Sequence, residues 1–253
     1  MSDFKYKGSL FYKFYDAKSS QTLVFLHGFS LDHRMWQPQI EHFSSNYNVL
    51  VFDLRGFGKS TIPNQIYSHH DDLFRLIKHL ELQQVHLVGL SMGGRVAIDF
   101  TLEHPTLVRT LTVLDSSLGG YRSTVDFSIR IDNNIQKAKE SWLSHQVFEY
   151  TNKTPEISTK LKLMVSDYSG WHWLNDKKYE IAVDNAKGRL NEITCPTKIL
   201  VGEYDLEYFK NIGQYMHKRI ENSEYRLVPD SGHMSNLENA EFVNDVITQI
   251  IKS

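Results

Sequence analysis

Cysteine is almost absent from this chain. With Cys195 alone, no internal disulfide can form, so a buried core must supply the stability. A reducing cytoplasm is the simplest compartment for such a chain, although a disulfide-free periplasmic protein would look the same. Charge of one sign is also missing. Twenty-eight Lys and Arg stand against thirty Asp and Glu, which gives no electrostatic footprint for nucleic acid or an anionic membrane surface. No apolar run reaches the length of a transmembrane helix, and the first residues, Met1 to Lys7, alternate charged and aromatic side chains without an apolar signal core. There are no repeats, no low-complexity tract, no H-E-x-x-H and no Cys–His ligand set.

What is present suits one large α/β domain: 253 residues, 41 % hydrophobic and 23 % charged. Short β-rich apolar runs alternate with helical segments, the pattern of a mostly parallel sheet covered on both faces. The runs predict strands at Leu10–Tyr15, Thr22–Leu26, Val49–Asp53, Val85–Gly89, Thr110–Leu114, Lys198–Gly202 and Glu224–Val228, with a weaker first strand at Phe4–Lys7. Helical spacing predicts helices at Ile66–Leu80, Met92–His104, Phe209–Ile220 and Glu238–Ile251. Between residues 119 and 189 the rhythm breaks, and large aromatics scatter through the interval. A structureless loop of that length is improbable in a compact domain. The expected organisation is therefore a core of residues 1–118 and 190–253 with a helical cap insertion at 119–189.

In a parallel sheet, ligands sit beyond the carboxyl ends of the strands. One such end reads Gly89-Leu90-Ser91-Met92-Gly93-Gly94, a G-x-S-x-G between a strand and a helix. A sharp turn there lifts a serine hydroxyl above the sheet edge, and the helix N-terminus offers free N–H groups to a developing oxyanion. The motif occurs by chance in about one chain in ten of this length, so it needs partners. A serine requires a base, and the base an acid to fix its tautomer. In the order Ser, acid, His, the later strand ends supply Asp205 in Gly202-Glu203-Tyr204-Asp205 and His233 in Ser231-Gly232-His233-Met234. Asp115, at the end of the preceding core strand, is a rival for the acid. Glu203 reads as a residue tuning its loop and Asp230 as a turn residue.

The loop after Thr22–Leu26, His27-Gly28-Phe29-Ser30, should complete an oxyanion hole. The Phe29 N–H would stand beside the Met92 N–H, with His27 a structural ring. Asp53-Leu54-Arg55-Gly56-Phe57-Gly58-Lys59-Ser60 is not a P-loop, because Asp53 stands where glycine is required. It reads as a tight turn with Asp53 and Arg55 tied internally. His69-His70-Asp71-Asp72 opens a helix without a recognised metal spacing and reads as a solvated or capping face. Neither a metal nor a cofactor is called for.

Together, HGFS at 27–30, DLRGFGKS at 53–60, GLSMGG at 89–94, GEYD at 202–205 and SGHM at 231–234 resemble the α/β-hydrolase superfamily over almost the whole chain. Within it, the compact form with a short cap looks like the esterase, enol-lactonase and carbon–carbon hydrolase group, and Asp167–Trp173 looks similar to lactonase-like members. The resemblance implies an α/β-hydrolase fold with an eight-stranded, mostly parallel sheet and a small cap over the site. Taken with the triad, it leads to the expectation of acyl transfer to water through Ser91 from a small ester or lactone, the expected small-molecule substrate. Cap aromatics, Trp142, Trp171 and Trp173 among them, would line an apolar pocket. The competing readings are carbon–carbon hydrolysis by the same triad, which would call for a cationic carboxylate clamp such as Arg122 or Arg95, and a slow-turnover ligand-binding protein. A homo-oligomer is compatible with the exposed aromatics.

Overall fold

The computed structural model describes residues 2–5, 7–129, 131, 134–175 and 179–252. Eight strands form one sheet: β1 (Ser2–Lys5), β2 (Ser9–Tyr15), β3 (Thr22–Leu26), β4 (Asn48–Phe52), β5 (Val85–Leu90), β6 (Val108–Leu114), β7 (Thr197–Gly202) and β8 (Ser223–Val228). Their order is β1-β2-β4-β3-β5-β6-β7-β8. The β1–β2 and β2–β4 pairs are antiparallel, and every other pair is parallel. Every residue of β3, β4 and β5 is buried, as expected of central strands covered on both faces. β8 lies at the edge and keeps only Val228 buried. All five strands β3, β5, β6, β7 and β8 point their carboxyl ends to one edge of the sheet, so the loops after Leu26, Leu90, Leu114, Gly202 and Val228 gather there.

Nine helices accompany the sheet among the described residues: α1 (Gln37–Phe43), α2 (His69–His79), α3 (Met92–Glu103), α4 (Ile135–Leu143), α5 (Pro155–Asp167), α6 (Trp171–Leu174), α7 (Glu207–His217), α8 (Ser235–Glu238) and α9 (Ala240–Ile251). One apolar cluster runs through sheet and helices and reaches Trp142, Phe148, Leu161 and Tyr168 in the 119–189 interval. That interval, which holds α4, α5 and α6, packs over the gathered loops. Trp142 Nε1 donates to Ser30 Oγ after β3 (2.7 Å), and Thr151 Oγ1 to Glu238 Oε1 after β8 (2.6 Å).

Two helix expectations need correction. The helix predicted from Ile66 starts at His69, because Tyr67 is extended and makes a parallel bridge to Glu180. Its N–H donates to Tyr179 O (2.9 Å) and its carbonyl accepts from Ile181 N (2.8 Å). Apolar spacing extends the helix backward in sequence, and a long-range backbone pairing overrides it. The helix expected at Glu238–Ile251 is two pieces, α8 and α9. Asn239 interrupts them and caps α9 by accepting from Phe242 N (3.2 Å).

Candidate active site

Ser91 joins β5 to α3 with φ 55° and ψ −114°, a conformation that L side chains rarely adopt. Its neighbours impose it. Ser91 N donates to Leu114 O of β6 (2.9 Å), while Ser91 O accepts from Arg95 N, Ser117 N and Ser117 Oγ (3.2 Å each). The turn fits only because position 93 has no side chain: a Cβ on Gly93 would stand 2.1 Å from Leu26 O. The serine is thereby held at the carboxyl edge of the sheet, half-exposed at the wall of a cavity of about 630 Å³. That volume is in the range of small-molecule sites.

His233, on the loop between β8 and α8, opens onto the same cavity. Its Nδ1 lies 2.9 Å from Asp205 Oδ2. Asp205 Oδ1 accepts from its neighbour Leu206 N (2.7 Å), which fixes the carboxyl plane. Nδ1 therefore faces the acid and Nε2 is left for the cavity. The structure thus brings Asp205 and His233 into direct contact and places Ser91 on the same cavity wall, with no Ser91–His233 hydrogen bond. Catalytic hydrogen bonds are often open in ligand-free structures and tighten around substrate. The Phe209 ring, 4.3 Å from the imidazole, shields its buried side.

Asp115 lies directly behind this pair. It is fully buried at φ 48°, and its carboxylate accepts from Gly202 N (2.7 Å) and Ser235 Oγ (2.5 Å), tying β6 to β7 and to the histidine loop. Burial pushes Asp115 well above the usual carboxylate range, and the charge of Asp205 pushes it further; burial raises Asp205 too. Two buried carboxyls this close do not both ionise readily. Asp205 is the one that contacts the ring. His233 itself is moved below its ordinary value by burial, which outweighs the opposing charges of Asp115 and Glu238. Glu238, which the sequence did not single out, accepts from Gly232 N (2.7 Å) and so fixes the loop one residue before the histidine.

On the facing side, Met92 is the first residue of α3, so its N–H has no intrahelical partner. The Phe29 N–H makes no bond to another described residue, and Phe29 and Met92 both line the cavity beside Ser91. His27 bridges two loops: its Nε2 accepts from Leu54 N (2.9 Å) and its Nδ1 donates to Gly28 O (2.8 Å). Burial moves its pKa below the ordinary value, against the opposing charge of Asp53. The Asp53–Ser60 turn is tied mostly to its neighbours, His33 and α2, and less within itself. Asp53 Oδ1 accepts from His33 N and Nδ1 and its Oδ2 from Lys59 N, while Arg55 meets both oxygens of Asp72 at 2.7 Å.

Trp142, Trp171 and Trp173 all reach the cavity wall. Phe29 is the hub of this side, with Phe57, Trp142, Tyr168, His172 and Trp173 around its ring at 5.6–6.0 Å. His172 stacks on Phe57 at 4.1 Å and lies within hydrogen-bond distance of Tyr67 and Tyr168 hydroxyls. Burial pushes it down to about 4. Arg95, one turn beyond Ser91, also lines the cavity, paired with Glu180, whereas Arg122 is exposed and off its wall.

Two buried groups have donor atoms close enough for a metal ion, Asp32/His33/Asp53 and Asp115/Asp205/His233, each set within 4.8 Å. In both, every carboxylate oxygen already accepts a hydrogen bond from the protein.

Comparison with known proteins agrees with this architecture. A family model described as alpha/beta hydrolase fold matches residues 21–164. Among curated proteins, 3-oxoadipate enol-lactonase 1 of Acinetobacter baylyi is 23 % identical over 245 residues, covering 93 % of this chain and 90 % of its own. Among solved structures, MenH from S. aureus superposes with a TM-score of 0.85 at 28 % identity, covering 95 % of this chain and 97 % of that one. Est816, described as an N-acyl homoserine lactone degrading enzyme, gives 0.80 at 26 % identity, covering 98 % and 99 %. No helix among the described residues is long and apolar enough to cross a membrane.

Proposed function

Because the chain belongs to the α/β-hydrolase fold family, we propose that it is a serine hydrolase that cleaves a small carboxylic ester or lactone through an acyl-enzyme on Ser91. The observation that carries this reading is the pairing of His233 with Asp205 on the wall of the cavity that exposes the strained Ser91. Enol-lactonase and lactone-degrading relatives with the same overall fold support the choice of bond.

In this mechanism His233 Nε2 takes the proton of Ser91 Oγ as the oxygen attacks the substrate carbonyl. Nδ1–H stays on Asp205, which orients the ring and stabilises the imidazolium. The oxyanion accepts from the Phe29 and Met92 N–H groups, each donor contributing roughly 3–4 kcal/mol of barrier lowering. His233 then protonates the leaving alkoxide, activates water against the acyl-enzyme and returns its proton to Ser91. The apolar acyl or alcohol group rests on Trp142, Trp171 and Trp173. None of these steps uses a cofactor.

The test is labelling with a fluorophosphonate probe followed by intact mass. One adduct on the native chain, lost in Ser91→Ala, is expected. A folded native chain that takes no adduct refutes an activated serine.

A further inference from the structure

Arg95 is the one lysine or arginine among the described residues that line the cavity. It rises from the second turn of α3, and a free guanidinium on a cavity wall can pair bidentately with a substrate carboxylate. Here the position is already filled. Arg95 Nη2 lies 2.5 Å from Glu180 Oε1, and Nη1 lies 3.3 Å from Asp99 Oδ2. Arg95 and Glu180 are 16 % and 18 % exposed, so both are largely withdrawn from water yet border the cavity.

Glu180 is not a loosely placed surface acid. Its backbone pairs with Tyr67, and the flanking Tyr179 and Ile181 supply the two hydrogen bonds of that bridge. The chain between β6 and β7 thus delivers a carboxylate to the guanidinium and fastens it there. The groups facing the pair are Asp99 from the next turn of α3, His69 from α2, His172 from α6 and the Tyr67 hydroxyl. Burial alone would raise the Glu180 carboxyl, but the charges of Arg95 and then His69 outweigh it and hold it at about 2. Burial raises Asp99 to about 6 against the pull of Arg95. At neutral pH two carboxylates therefore surround one guanidinium, and an incoming anion meets excess negative charge.

We propose that Glu180 is a specificity-determining residue that blocks Arg95, so that this cavity takes substrates whose far end is uncharged and rejects those ending in a carboxylate. The inference rests on the serine-hydrolase reading of the same site. It also separates the ester or lactone reading from cleavage of a carbon–carbon bond in a diketone-like acid, which would need that cation free. Around the pair the wall is Tyr67, Trp171, His172 and Tyr179, and His172 is kept neutral by burial. An aliphatic or aromatic group fits this lining.

The experiment compares kcat/KM for 4-nitrophenyl hexanoate and mono-4-nitrophenyl adipate, which share leaving group and acyl length and differ in the terminal carboxylate. The native protein is expected to favour hexanoate by at least about 100-fold. In Glu180→Gln the ratio should shrink at least about tenfold, mainly through a lower KM for the adipate ester. A native ratio within about threefold overturns the proposal, whether or not the variant folds. So does a folded Gln variant with an unchanged ratio. Absence of turnover of both esters together with absence of a phosphonate adduct refutes the serine-hydrolase reading itself, and this inference with it.

Discussion

Replacing Ser91 by glycine and by alanine separates the cost of the elbow from the chemistry it serves. At φ 55° and ψ −114° any residue with a Cβ is strained, typically by about 1–3 kcal/mol. Ser91→Ala keeps the Cβ and therefore the strain. The Ser91 hydroxyl makes no hydrogen bond within the described protein, so its loss should change stability by less than about 0.5 kcal/mol. Ser91→Gly relieves the strain but gives the unfolded chain more freedom, at a cost of about 0.5–1 kcal/mol. Ser91→Gly should thus exceed Ser91→Ala by about 1 kcal/mol, within a range of about 0–2.5 kcal/mol. In a domain of this size each kcal/mol moves Tm by about 2–4 °C, so the separation should be roughly 2–4 °C and at most about 10 °C. Paired thermal scans and urea midpoints with unchanged slope measure it. A glycine variant less stable than the alanine variant would refute the claim that the neighbouring strands and Ser117 force Ser91 into a costly geometry.

Two further outcomes follow from buried charges. A general base must be neutral, so activity should fall as pH drops through the His233 titration. Burial lowers that group from its ordinary 6.5, and the acid limb of kcat/KM for an uncharged ester should have its midpoint below 6.5; a midpoint at or above 7 contradicts the reading. Asp72→Ala strips the carboxylate from Arg55, whose side chain is 1 % exposed, and should cost about 3–5 kcal/mol; a denaturation midpoint equivalent to a loss under about 1 kcal/mol would show that Arg55 is held by its other contacts.

The sheet was legible because its signal is local. Val85–Leu90 and Thr22–Leu26 are short apolar runs that end in a glycine-bearing loop, and a strand buried on both faces carries that pattern whatever its partners. The site was legible as far as strand ends go: parallel strands that end on the same edge deliver their next residues to one place. The sequence named Asp205 as the acid but kept Asp115 as a rival, since β6 and β7 are neighbours and both acids follow strand ends. The structure sets both near His233 and gives the ring contact to Asp205. Glu180 left no trace at all. Its partner Tyr67 is far away in sequence, and a single bridge has no periodicity to detect. The Ile66 start of α2 failed for the same reason, whereas the break before α9 had a readable signal in Asn239, a strong N-cap residue ahead of Ala240.

The interval over the site and the loops beneath it form one piece of packing. Gly56 has φ 86°, and a Cβ there would stand 2.5 Å from the His172 ring, so the Asp53–Ser60 turn is shaped to receive a residue of α6. His172 in turn stacks on Phe57 of that turn and faces Phe29. Phe29 follows Gly28 in the loop whose N–H is assigned to the oxyanion, and the next residue, Ser30, accepts from Trp142 Nε1. An oxyanion donor must hold its position to within a fraction of an ångström to be effective. On the proposed mechanism the aromatic hub would steady that position from one side and the Ser91 turn from the other. The aromatics of this interval would then both bound an acyl pocket and anchor the loop that carries the Phe29 N–H.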